Sequence, residues 1–169
     1  MKRRLAYMSL FIIIIFSLTG CFSKSINKEI SNSLGIKIPK NLQIEYEDSH
    51  GGFHGDGATL AKVEFDSNDA ENILAQIKDN DNWEGLPLSK NIEIRMYGRK
   101  KDSVVYNSDL AERLDMPKVD NGYWMFIDRF DGENRINDDR LLFDRYAANY
   151  TIGIYDAESN TLYYCKYDS

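Results

Sequence analysis

From residue 25 onward the chain switches repeatedly between two hydrophobic periods. Ile26, Ile30 and Leu34 recur every four positions and Gly35 follows them, which predicts a short helix over 25–34. After Pro39 the period changes to two. Leu42, Ile44 and Tyr46 alternate with polar residues, and so do Ala61, Val63 and Phe65, predicting two strands with those residues inward. Ala70, Ile73, Leu74 and Ile77 form one helical stripe, with Asn68 and Glu71 resembling a capping box. Over Leu88–Tyr97 both periods fit; Ser89 as a cap and Gly98 as a stop favour a helix. Residues 99–106 read as a loop, and Ser108–Leu114 as a helical turn closed by Pro117. Tyr123-Trp124-Met125-Phe126-Ile127 is apolar on both faces, the mark of a central strand covered on both sides. Strands near 146–155 and 161–167, joined by Asp156–Asn160, complete the pattern as a hairpin. The expected fold is α+β: one antiparallel sheet of about five strands, with two to four short helices on one side.

The first 20 residues follow another logic. Lys2, Arg3 and Arg4 precede an unbroken apolar run from Leu10 to Phe16, the order of a secretory leader. Leu5–Leu18 covers only 14 residues, short of the about 20 that a membrane span requires. Leu18-Thr19-Gly20-Cys21 closes the segment and resembles a bacterial lipobox: an aliphatic residue, a small one, Gly or Ala, then Cys. The resemblance implies cleavage after Gly20 and a covalent diacylglycerol on Cys21, the only prosthetic group expected. The expected organisation is a cleaved signal peptide at 1–20, a lipidated tether at 21–24 and a single extracytoplasmic α+β domain at 25–169. Two acyl chains hold a protein stably, and Phe22–Lys24 reach only about 10 Å. The domain is therefore expected on the outer face of the cell membrane, close to the bilayer.

Charge narrows the partners. The leader carries three basic residues and no acidic ones, so its removal takes the formal charge from −6 to −9. Such a domain is repelled by anionic headgroups and lacks the basic stripe that nucleic acid needs. With Cys21 acylated, Cys165 has no disulfide partner in the chain and reads as a structural thiol.

The segment His50-Gly51-Gly52-Phe53-His54-Gly55-Asp56-Gly57 holds both histidines and four of the eleven glycines. His50 and His54, with Asp48 and Asp56, are the candidate metal or catalytic residues, because imidazole and carboxylate together suit a divalent cation. A hairpin reading competes. Asp56-Gly57 suits a two-residue turn, and a bulge at Gly51-Gly52 would turn Phe53 inward while sending the two histidines to opposite faces. That arrangement opposes a shared metal.

Elsewhere, Asp79–Gly85 begins like a calcium loop but has Trp83 and Glu84 where a ligand and the turning glycine belong. Aromatic residues crowd the last third beside Asp128, Asp131 and Asp144; cross-strand packing explains them better than a glycan site. No nucleophile elbow, phosphate loop or CxxC occurs. The lipobox, His50–Gly57 and Asn121–Arg129 together are similar to small lipoproteins of Gram-positive bacteria that bring no established activity with them. The favoured expectation is a membrane-anchored, non-enzymatic binding or accessory protein. One alternative is a metal-assisted hydrolase of envelope material using the His50–Asp56 hairpin; another is an immunity or phage-exclusion lipoprotein.

Overall fold

The structure, a computed structural model, describes residues 25–51, 55–101 and 104–169. The expected leader, the lipobox with Cys21, and Gly52, Phe53 and His54 lie outside the described residues. No helix among those described is long and apolar enough to cross a membrane.

Helix α1 (Ile26–Leu34) ends at Gly35, whose φ of 65° favours glycine. Strands β1 (Glu45–Asp48) and β2 (Gly57–Glu64) follow, then helix α2 (Ser67–Lys78) and the short β3 (Glu84–Gly85). Helix α3 (Lys90–Tyr97) leads into a separate ribbon of β4 (Arg99–Lys101) and β5 (Val104–Tyr106). Helix α4 (Leu110–Arg113), β6 (Gly122–Asp128), β7 (Arg135–Ile136), β8 (Tyr150–Asp156) and β9 (Thr161–Asp168) complete the order. The main sheet is antiparallel throughout and runs β1-β2-β9-β8-β6-β3, with β7 also paired to β6.

The α+β class agrees with expectation, but among the described residues the sheet has seven strands rather than about five. The additions, β3 and β7, are two residues each, too short to leave a period in the sequence. A second correction concerns the helices, which divide between both faces instead of sharing one. Ile30 and Leu34 of α1 and Ile73 and Ile77 of α2 pack with Val63, Met125 and Tyr164. On the opposite face, Ile92 and Met96 of α3 and Leu110 of α4 pack with Leu60, Phe126 and Ile152. Strands β6 and β8 are consequently buried on both sides, as the apolar run of β6 predicts.

Local chemistry explains several boundaries. Asp66, not Asn68, caps α2: its carboxylate accepts from the amides of Asn68 and Asp69 at 2.9 Å each. Ser89 caps α3 as expected, accepting from the Ile92 amide at 3.2 Å. Gly153 leaves space for Leu34 and Trp83, which would stand 2.8–3.0 Å from a β-carbon there. The Trp83 indole donates to the Leu34 carbonyl at 3.2 Å, satisfying one of the acceptors left open at the end of α1. Leu42 and Ile44 do pack against the core. Tyr46 does not: it is 56% exposed, on a rim strand that has one neighbour among the described residues.

The expected two-residue turn at Asp56-Gly57 is also corrected. Strand β1 ends at Asp48, and Gly57 is already in β2, opposite Asp168 of β9. Ser49 extends the β1–β2 pairing through its amide to the Ala58 carbonyl at 2.9 Å. The Gly51 amide reaches the Asp56 carbonyl at 3.4 Å. The amides of Ser49 and Gly51 therefore hold the two ends of the connection together.

Candidate functional site: a charged cluster at the strand ends

The pairing that places Gly57 opposite Asp168 also brings His50 beside the end of β9. His50 Nε2 lies 3.0 Å from Asp168 Oδ2, and Nδ1 lies 2.6 Å from Asp48 Oδ1. The His50 main-chain amide donates to the same Asp48 oxygen at 3.0 Å. That amide is the main reason the Asp48 carboxyl is held below its ordinary value; partial burial opposes the shift and the imidazole supports it.

Asp168 passes the cluster on to Arg129, whose guanidinium lies 2.8 Å from Asp168 Oδ1. The same guanidinium donates to the Tyr150 and Tyr167 carbonyls at 3.0 and 3.1 Å and to Thr151 Oγ1 at 3.2 Å. It clasps the ends of β6, β8 and β9. Lys166 lies 3.8 Å from Asp168 and donates to Glu29 at 3.2 Å, tying in α1. Beside these groups is a cleft of about 290 Å³ lined by Lys28, Glu29, Ser33, Arg129, Thr151 and Lys166.

The structure thus brings two of the four candidate residues, Asp48 and His50, into contact. Asp56 is exposed and contributes its carbonyl to the loop base, and His54 lies outside the described residues. Asp168, Arg129, Lys166 and Glu29 are not among the residues that the sequence singles out for a site. Their signal is a register, and it appears only once β9 is known to pair with β2.

Metal binding needs a ring nitrogen with a free lone pair. Both nitrogens of His50 face carboxylates, on opposite edges of the ring. Among the described residues no three His, Cys, Asp or Glu side chains converge to hold an ion. The imidazole also lies 3.4 Å from Thr59 Oγ1, which together with Asp168 superficially resembles a hydroxyl–imidazole–carboxylate relay. Two facts oppose that chemistry. Asp48 holds the nitrogen that would take the hydroxyl proton, and Thr59 is only 4% exposed. Cys165 is equally unsuited to attack, since burial pushes its thiol up to about 12.

A structural clasp gives a testable expectation. His50→Ala should lower stability by about 1–2 kcal/mol, the scale of lost charge-assisted hydrogen bonds, and leave metal content unchanged. Thermal unfolding with elemental analysis checks both; loss of a stoichiometric metal would contradict the assignment.

A second charged group closes the neighbouring loop. Asp128 is 2% exposed and takes a bidentate contact from Arg145 at 2.8 and 3.0 Å, with Arg135 donating at 2.9 Å. Burial alone would raise its carboxyl; the two guanidinium groups outweigh burial and hold it below the ordinary value. Asp128 is therefore not an open carboxylate among aromatic rings, as a glycan site would require. The rings pair instead with each other: Tyr150 stacks on Tyr167 at 5.3 Å.

No protein family, curated protein or solved structure matches the chain.

Proposed function

We propose that the chain is a bacterial lipoprotein of the cell envelope. In this reading, residues 1–20 are removed, Cys21 carries diacylglycerol, and 25–169 works outside the cytoplasm as a non-enzymatic binding or accessory domain. The observation that carries the reading is Leu18-Thr19-Gly20-Cys21, following a basic tip and a short apolar run. A non-catalytic role is supported by the chemistry of the charged cluster. His50 has both nitrogens engaged, Thr59 is buried, and Arg129 spends its donors on strand ends and Asp168. Groups committed in this way hold a fold together and have little left for a substrate.

The test is Cys21→Ala in a bacterial host supplied with a clickable fatty acid. The wild type should enter the membrane fraction carrying the probe. The variant should lose the probe and either accumulate as uncleaved precursor or leave the membrane. Probe incorporation unchanged by the substitution would refute the anchor.

A further inference from the structure

The connection between β6 and β8, residues 129–149, is pinned at its base and carries exposed apolar side chains among its charged ones. Arg145, whose side chain is 7% exposed, grips Asp128 from below, and its guanidinium also lies over the Phe130 ring at 4.8 Å. Phe130 in turn meets the edge of Tyr146 at 5.4 Å. Yet Tyr146 is 95% exposed and Leu141 57%, the two most exposed large apolar side chains among the described residues. A loop so firmly fixed holds these side chains outward rather than letting them fold back. Exposed apolar clusters of this kind mark contact surfaces.

The position of the chain's entry identifies the partner. Helix α1 begins one residue after Ser25, which is four residues beyond Cys21. Its first turn carries Lys28, which shares the cleft with Arg129, the residue before Phe130. The loop is therefore reached from the start of α1 through Lys28, Arg129 and Phe130, on the side of the molecule where a tethered bilayer would lie. Resting on the lipid-anchor reading above, the geometry points to the outer surface of that bilayer as the partner of this loop. Leu141 and Tyr146 enter the boundary between headgroups and acyl chains, with Phe130 supporting the Tyr146 ring. Tyrosine suits this depth because its ring is apolar and its hydroxyl polar. Arg140, largely exposed beside Asp138, lies at headgroup level. A mature chain of charge −9 is not drawn to anionic lipid, so the contact is apolar and persists at high salt. The hairpin turn at Glu158, at the opposite end of β8, points away from the membrane.

The experiment uses the full lipidated chain in vesicles of phosphatidylglycerol and phosphatidylethanolamine. A fluorophore is attached at Tyr146→Cys or at Glu158→Cys; Cys165 is buried and Cys21 blocked by its lipid. Flotation reads the anchor, and quenching by nitroxide-labelled lipid reads the loop. The expected result is co-flotation of both proteins, with several-fold stronger quenching at 146 than at 158, unchanged by salt. Equal quenching in floated protein overturns the loop contact while leaving the anchor intact. Failure to float overturns both. Energy transfer between copies labelled at 146, with no effect of lipid quenchers, assigns the surface to self-association and overturns the bilayer contact.

Discussion

Asp128→Asn should cost the domain about 4 kcal/mol, the largest loss expected of any single substitution here. The substitution is nearly isosteric, so packing is not at issue. It removes the negative charge between Arg145 and Arg135, and Arg145 is almost fully withdrawn from water. An uncompensated guanidinium at that depth is what makes breaking a buried pair expensive, whereas replacing both partners by apolar groups can be nearly neutral. Asp128→Asn combined with Arg145→Met should accordingly recover part of the loss. A melting temperature reduced by roughly 10 °C in the single variant, with partial rescue in the double, checks this. Additive losses would contradict it.

The same pair sets an acid limit. The folded-state carboxyl of Asp128 lies below its ordinary value, so its contribution is fully present above about pH 4. It fades as pH falls through the lower folded value, where the native state must also take up a proton. Stability of the wild type should therefore decline below about pH 4, and Asp128→Asn should show a shallower decline there. Parallel acid limbs in the two proteins would remove Asp128 from the explanation.

Gly122→Ala should be nearly as damaging, by roughly 3 kcal/mol. Gly122 opens β6 opposite Asp156, and its carbonyl accepts from the Leu86 amide at 3.1 Å. A β-carbon there would stand 1.9 Å from the Tyr155 carbonyl oxygen. The obstacle is main chain in a central strand, so no rotamer relieves it; β6 and β8 would have to part. Gly85→Ala is the control, because a β-carbon at Gly85 meets nothing within 4 Å. Urea unfolding should leave Gly85→Ala close to wild type and shift the Gly122→Ala midpoint strongly downward. Equal behaviour of the two would show that β6 can yield.

These two positions show what could be read from the chain and what could not. The apolar run Tyr123–Ile127 marks β6, and its burial on both faces follows from having no polar side; the tight approach at Gly122 leaves no such mark. Ile30, Leu34, Ile73 and Ile77 are legible as buried stripes because a helix repeats every 3.6 residues. Which face of the sheet each helix covers is not legible, since a stripe says that a helix packs and not on which side. Hence the periodicity alone suggests one helical layer, whereas α3 and α4 lie opposite α1 and α2. Asp128 is legible only as one of three carboxylates near aromatic residues, and its partner Arg145 stands 17 positions away in a loop without periodicity. His50 drew attention by composition, but its meaning depends on Asp168, 118 residues on, and on the register that brings them together. Sequence chemistry nominated the residue. Only the pairing of β2 with β9 shows both ring nitrogens taken.

The anchor is the claim from which localisation, orientation and the bilayer-facing loop all derive. Intact mass spectrometry of the protein purified from its membrane tests it most directly. The account predicts a chain that begins at Cys21 and carries the added mass of a diacylglyceryl group on that residue. A mature terminus at any other position, or a Cys21 of unmodified mass, would contradict it.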